Sequence, residues 1–238
     1  MNLSGKTTLV TGGSSGIGEA LVRALTAAGA RVLTCGRNEE ALARSEAETH
    51  ACDLATRDGR ASLVEWIAKQ TDALDLLVHN AGIQRETRID PDLDEDAVEQ
   101  EIATNLLAPI ALTAKLLPLV ERGREPVVVQ LSSGLAIAPK ASAPVYCATK
   151  AALSNFSRGL RFQLEPKGIR VVDVVTPLVK TPMTAGRHDG AMEVEDFVAK
   201  LLRGLAAGND EVYVGKARLL PALLRLAPNR ARNVLRNS

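Results

Sequence analysis

The stretch Thr11-Gly12-Gly13-Ser14-Ser15-Gly16-Ile17-Gly18 constrains this chain more than any other. It follows a short β-rich run, Thr7 to Thr11, and leads into an apolar periodic segment from about Ile17 to Ala28. A strand that turns at once into a helix needs backbone that no side chain obstructs. Gly12 permits the tight turn, Gly16 lets a ligand approach the backbone, and Gly18 lets the helix pack on the strand. The N–H groups of such a turn, with the positive end of the helix, make an anion site suited to a pyrophosphate. The spacing is TGxxxGxG rather than the commoner GxGxxG.

The same strand-then-helix pattern repeats to the end of the chain. Arg31 to Cys35, His50 to Cys52, Leu74 to Val78, Pro126 to Leu131, Arg170 to Val175 and Glu211 to Val214 are expected strands. Asn38 to Glu48, Ser62 to Lys69, Asp94 to Leu117, Val145 to Leu164 and 193–207 are expected helices. Gly29 closes the first helix, and Pro109 and Pro118 are expected to bend or end the long one. Apolar strands alternating with helices give a parallel sheet with right-handed crossovers. The expected fold is α/β: a single-domain Rossmann fold over 1–238, its doubly wound, mostly parallel sheet of about seven strands flanked by helices.

Composition narrows the function. Hydrophobic residues at 46% and charged residues at 24% describe a globular chain, not a disordered one. A net charge of +1 gives no footprint for nucleic acid. No run approaches the ~20 apolar residues of a membrane span, and no export segment opens the chain. Cys35, Cys52 and Cys147 are dispersed without metal-ligand spacing, so no metal is expected and the thiols are read as reduced, in a cytoplasmic protein. From Gly215 to Ser238 the chain carries Lys216, Arg218, Arg225, Arg230, Arg232 and Arg236 and no acid. This basic helical tail, about 216–238, is expected to pack on the body or on a second subunit with its charges in water. Pro221 and Pro228 break the continuous amphipathic helix that would lie on a membrane.

The end of the second strand bears on cofactor choice. A carboxylate there would bind the adenosine ribose and repel a 2′-phosphate. Gly36 and Arg37 stand there instead, and arginine offers a planar fork of donors suited to phosphate. NADP is therefore favoured over NAD.

Taken together, Thr11 to Gly18, Asn80-Ala81-Gly82, Asn105, Ser133 and Tyr146-Cys147-Ala148-Thr149-Lys150 stand in a telling order and spacing. Over nearly its whole length the chain resembles the short-chain dehydrogenase/reductase family. The resemblance implies hydride transfer between a nicotinamide and a carbonyl or alcohol, with Asn105, Ser133, Tyr146 and Lys150 as the catalytic group. It implies cofactor contacts from Gly12, Ser14, Ser15, Gly16, Ile17 and Gly18, from Asp53 and Leu54 at the adenine, and from Asn80, Ala81 and Gly82. Tyr146, Lys150, Pro177, Val179 and Thr181 complete that set around the nicotinamide. It also implies a homodimer or homotetramer. Asn80 to Arg85, Asn105 to Ile110 and the chain ending are similar to a bacterial subgroup named for the D-alanine-transfer operon. One departure is Pro177, which stands where the family usually has glycine.

The chemistry asks for these residue types. A free tyrosine, with a pKa near ~10, moves protons poorly at neutral pH. Lys150, four residues on in a helical segment, shares a face with Tyr146 and is expected to lower that pKa. Ser133, at a strand end and 13 residues before Tyr146, is the candidate to hold the substrate oxygen, with Ser132 as the alternative. The family reading has Asn105 hold a water that links Lys150 to solvent. His79 is read as a structural histidine. Specificity is expected from Ile83, Gln84, Gly134, Leu135, Ala143 and the segment Leu178 to Met192, whose Gly186 and Gly190 suggest an open lid. The expected substrate is an apolar ketone or aldehyde. A cofactor-binding regulator on the same fold is the alternative to an enzyme.

Overall fold

The computed structural model describes residues 2–187, 189–233, 235 and 236. Met1, His188 of the expected specificity segment, and Val234, Asn237 and Ser238 of the expected tail lie outside the described residues, as does the Arg232 side chain. The chain runs β1 (Thr7–Thr11), α1 (Gly16–Ala27), β2 (Arg31–Gly36), α2 (Glu39–Ala43), β3 (Glu48–Ala51), α3 (Arg57–Gln70) and β4 (Leu76–His79). It continues through α4 (Glu95–Ile102), a π-helical turn (Ala103–Leu107), α5 (Ala108–Val120), β5 (Val127–Ser133) and α6 (Pro144–Leu164). The last part holds β6 (Arg170–Thr176), α7 (Val194–Ala206), β7 (Glu211–Tyr213), α8 (Leu220–Leu226) and α9 (Pro228–Asn233).

The strands pair in parallel in the order β3-β2-β1-β4-β5-β6-β7. This is the expected doubly wound α/β sheet. The strand order reverses between β1 and β4, and the crevice of such a sheet opens at the carboxyl ends of those strands. Both faces are covered by aliphatic side chains, as scarce aromatics require. Leu21, Val22 and Leu25 of α1 and Phe197, Leu201 and Leu205 of α7 pack on one face. Leu63 and Ile67 of α3, Leu112 and Leu116 of α5, and Leu160 and Leu164 of α6 pack on the other.

Several boundaries differ from expectation for identifiable reasons. α3 starts five residues earlier than Ser62 because Thr56 caps it, its hydroxyl accepting the Gly59 N–H at 2.9 Å. α2 is much shorter than Asn38 to Glu48. Arg31 takes the Glu48 carboxylate through two hydrogen bonds (2.7 and 2.9 Å), drawing Glu48 into β3. The long helix is broken by the π turn rather than by Pro109, and it passes through Pro118, which sits in its last turn. That turn stays in place because Val120 is buried and the Leu119 carbonyl accepts the Leu74 N–H at 2.9 Å. The stretch Glu95–Val120 reaches the length and apolarity of a membrane-crossing helix, contrary to the sequence reading. Here Ala108, Leu112, Leu116 and Val120 spend that apolarity on the sheet.

The basic tail forms two short helices, with Pro228 opening the second. Lys216, Arg218, Arg225, Arg230 and Arg236 are exposed, while Ala217 and Leu220 pack against Ala138 and Val175. Between β6 and α7 the chain makes an excursion whose base is pinned. Val179 bridges Met192, with Lys180 N–H donating to the Met192 carbonyl and Met192 N–H to the Leu178 carbonyl, both at 2.9 Å.

His79 ends β4 inside the core, 2% exposed, its Nε2 2.9 Å from Thr113 Oγ1. Burial lowers its pKa from 6.5 to about 3. Below pH 6.5 the unfolded chain binds a proton that the folded chain refuses, so this contribution to stability is complete above 6.5 and is lost between there and about 3. Urea unfolding is expected to show midpoints that fall as pH drops from 7 to 5, and His79→Gln is expected to flatten that slope.

Candidate active site

The cleft begins at the glycine turn. Gly12 (φ +74°) and Gly16 (φ +57°) take left-handed backbone. The N–H groups of Gly12 and Gly13 both donate to the Cys35 carbonyl (2.9 and 3.1 Å), tying the turn to the end of β2. A Cβ on Gly18 would collide with the Gly12 carbonyl oxygen and the Asn80 amide nitrogen. The Asn80 side chain donates to the carbonyls of Thr11 (2.9 Å) and Gly12 (3.2 Å), and its own N–H donates to Thr11 Oγ1 (3.1 Å). Asn80 thus clamps the end of β4 to the end of β1. No side chain caps α1, so the N–H groups of its first turn are left for a ligand. An uncapped helix start beside a turn without side chains fits a dinucleotide pyrophosphate.

One cleft gathers most of the expected cofactor residues. Gly12, Ser14, Ser15, Gly16, Ile17, Gly18, Arg37, Asp53, Leu54, Asn80, Ala81, Gly82, Tyr146, Lys150 and Thr181 all line it. Pro177 and Val179 do not. Val179 is buried in the core, its carbonyl accepting Thr184 Oγ1 at 2.6 Å, and Pro177 is half-buried near Gly215. Cys35, Cys52, Leu131 and Thr176 line the cleft without having been expected there, and so does Ser132, the alternative to Ser133. All five sit at or just past the carboxyl ends of strands, a position that would have pointed to them. The Cys35 and Cys52 thiols act on each other, so that the Cys35 pKa is raised, with burial adding to the rise, and that of Cys52 is lowered.

The four candidate catalytic residues converge at the inner end. Asn105, fully buried in the π turn, grips Ile83 from both sides, its Oδ1 accepting the Ile83 N–H and its Nδ2 donating to the Ile83 carbonyl, both at 2.8 Å. Its Nδ2 also donates to Thr149 Oγ1 at 3.2 Å. Asn105 therefore stands behind the cleft wall and holds its shape. The ammonium of Lys150 lies over the Tyr146 ring, 5.7 Å from the centroid, and donates to the Leu131 carbonyl at 2.8 Å. Gly82 leaves room between these groups: a Cβ there would be 3.3 Å from Asn105 Oδ1 and 3.5 Å from Lys150 Nζ. Ser133 Oγ accepts the Leu135 N–H at 3.1 Å and lies near enough to the Tyr146 phenol to lower its pKa. Ser132 Oγ turns into the sheet toward the Val174 carbonyl (3.4 Å), so Ser133 is the serine that meets Tyr146.

The electrostatics depart from expectation. Burial pushes the Tyr146 phenol up to about 12, against the lowering effect of the Ser133 hydrogen bond. The expected depression by Lys150 is not what sets this pKa: the ammonium lies over the ring and donates to the Leu131 carbonyl, and burial raises the phenol. Lys150 is itself lowered to about 8 by burial, with Asp173 and Glu101 pulling it back up. Glu101 escaped the sequence reading. It is 1% exposed on α4, with one oxygen accepting the Arg85 N–H (3.3 Å) and Oε2 without a hydrogen-bond partner among the described residues. Burial raises its carboxyl pKa.

The family model described as short chain dehydrogenase matches residues 6–191. The chain belongs to this family. It is 38% identical over 224 residues to the uncharacterised oxidoreductase DltE of Bacillus subtilis, covering 89% of each chain. It is 33% identical over 234 residues to the 3-oxoacyl-acyl-carrier-protein reductase FabG of Rickettsia prowazekii, covering 91% of this chain and 95% of the relative. Among solved structures, a short chain dehydrogenase from Burkholderia cenocepacia in complex with NADP superposes with a TM-score of 0.88 at 25% identity, covering 99% of both chains. A Brucella melitensis 3-ketoacyl-acyl-carrier-protein reductase complexed with NADH shares the fold, with a TM-score of 0.81 at 23% identity, over 90% of this chain and 99% of that one. This short-chain dehydrogenase is thus an NAD(P)-dependent oxidoreductase with a Rossmann-like sheet.

The cradle makes a directional prediction. Gly18→Ala forces the Gly12 carbonyl and the Asn80 clamp apart, so nicotinamide dinucleotide binding measured by calorimetry is expected to weaken at least about tenfold. Gly159→Ala, in α6 with nothing within 4 Å of the added Cβ, is expected to leave binding intact and to stabilise the fold by about 1 kcal/mol in urea unfolding.

Proposed function

We propose that this short-chain dehydrogenase moves hydride between NADP(H) and a small carbonyl or alcohol, with Tyr146 as general acid in reduction and general base in oxidation. One observation carries the reading: Tyr146, with Lys150 beside its ring, lines the same cleft as the glycine cradle. Bound cofactor supplies or accepts the hydride at its nicotinamide. In reduction, Ser133 orients the substrate oxygen and Tyr146 donates its proton as charge builds there. With the phenol at about 12, Tyr146 holds that proton throughout the neutral range. The Lys150 ammonium stabilises the phenolate that remains and is placed to hold the nicotinamide ribose. The gap at Gly82, between Asn105 and Lys150, is where a water would reload the proton.

Support for NADP over NAD comes from Arg37. It is exposed at the end of β2, lines the cleft, and has no ion pair among the described residues, so its guanidinium is free for a 2′-phosphate. Ile83 and Met183 give the inner cleft an apolar side suited to an apolar substrate body. The reading takes 1–238 as one domain acting in the cytoplasm, in keeping with three free cysteines, and as a homodimer or homotetramer.

NADPH and NADH consumption against a panel of aldehydes and ketones tests this. Tyr146→Phe is expected to lower kcat by about 10²–10⁴ with cofactor affinity retained. Undiminished turnover in that variant would overturn the role of Tyr146. Arg37→Ser is expected to raise the KM for NADPH about tenfold or more and to leave that for NADH within about twofold. The reductive rate is expected to fall above pH about 8, as buried Lys150 loses its proton.

A further inference from the structure

Strand β6 reads Arg170-Val171-Val172-Asp173-Val174-Val175-Thr176, and the one acid in it is 1% exposed. A buried charge costs the fold unless partners compensate it. Asp173 is compensated only in part. Its Oδ2 accepts the Ser154 hydroxyl at 2.5 Å, and its Oδ1 has no hydrogen-bond partner among the described residues. Across the ladder it faces Gln130 of β5, fully buried, whose two amide atoms also lack partners there. A carboxylate kept for a hydrogen-bond network would be better satisfied, so what Asp173 offers is its charge.

The same layer holds a buried cation. Lys150 and Ser154 are one turn apart on α6 and share the face turned to β5 and β6. From that face Ser154 reaches Asp173, while Lys150, 5% exposed, donates its ammonium to the Leu131 carbonyl at 2.8 Å. Leu131 adjoins Gln130, the ladder partner of Asp173. The ammonium and the carboxylate thus lie between one helix and the same two strands, and among the described residues neither makes an ion pair. Opposite charges so placed attract more strongly than in water. Burial lowers the Lys150 pKa to about 8, and Asp173 is first among the charges that hold it up, ahead of Glu101 on α4. Burial raises the Asp173 pKa, with the Ser154 hydroxyl and the Arg158 charge working against that rise. The other titratable neighbours are Tyr146 on α6, Arg158 of α6 ion-paired with Glu211 of β7 at 3.1 Å, and Tyr213, which donates to Glu211 at 2.9 Å. His79, in the same row on β4, is neutral at physiological pH.

We propose that Asp173, held by Ser154, is a positioning residue of the reaction, whose buried negative charge keeps the Lys150 side chain an ammonium beside Tyr146. Asp173 does not line the cleft, so it acts through Lys150. This deepens the reading above and rests on Lys150 as the group that stabilises the Tyr146 phenolate. Without the carboxylate the burial of Lys150 is less opposed, and the ammonium loses its proton at lower pH.

Asp173→Asn keeps the shape and the acceptor for Ser154 but removes the charge. Asp173→Val, matching the rest of β6, removes it where the Asn variant does not fold. Either is expected to move the Lys150 titration down by at least about one pH unit. That titration is read by NMR of protein isotope-labelled at the lysine ε-carbon, with Lys150→Arg identifying the signal. The fall of the reductive rate at high pH is expected to move with it. kcat should stay within about twofold of the original at pH 6 and be at least about fivefold lower at pH 8.5, with the KM for the carbonyl substrate within about twofold. Asp173→Glu, which restores the charge, is expected to return both readouts toward the original. The NMR titration needs no turnover, so a failure of Tyr146 as the acid/base leaves the link between Asp173 and Lys150 readable. A Lys150 midpoint unmoved in the uncharged variants would overturn the proposal, as would a kcat loss equal at every pH.

Discussion

Everything at this site hangs on how closely α1 can approach the ends of β1 and β4. The Gly12 carbonyl, the Gly18 Cα and the Asn80 amide occupy a space with no room for one more carbon atom. Asn80 is the strut that makes the approach stable, since it satisfies two carbonyls at the end of β1 that the parallel ladder leaves open. Once β4 is held there, the Gly82–Arg85 stretch must cross in front of α4 and the π turn. Asn105 and Glu101 then grip that stretch through its backbone. The anion cradle and the inner wall are therefore one continuous piece of hydrogen-bonded backbone, not two sites placed side by side.

The same burial that gives the wall its shape sets its charge. Tyr146 and Lys150 sit where water is scarce, and each is pushed toward its neutral form. The phenol keeps its proton firmly and the ammonium holds its own loosely. Asp173 and Glu101, both buried, are the acids whose charge helps Lys150 stay cationic. The distribution of carboxylates beneath the cleft matters as much as the residues that face it.

The fold was legible in the sequence because strand–helix alternation and the glycine turn depend on local patterns. Every expected strand and helix of the sheet region exists, and the errors are at ends set by side chains far away in sequence, such as Arg31 drawing Glu48 into β3. The apolar stretch Glu95–Val120 could not be told from a membrane helix by composition alone, because only packing on the sheet separates the two. At the site, motif residues at strand ends fell where expected, and 15 of 17 expected cofactor residues line the cleft while Pro177 and Val179 face elsewhere. Glu101 was not legible as a site residue. It stands on an expected helix like any polar position there, and it matters through a burial that only the folded chain creates.

The pinned excursion between β6 and α7 has a wider meaning. Because Val179 and Met192 close its base with backbone hydrogen bonds, the sheet below does not depend on what the loop above contains. Residues 185–187 and 189–191 hang from that clasp like a cartridge in a fixed socket. Lengthening or rewriting them alters what the cleft meets at its open side while the glycine cradle and the Asn80 clamp stay put. A chain built this way can change its diet by exchanging one short insert, so chemistry and selectivity are free to evolve at separate rates.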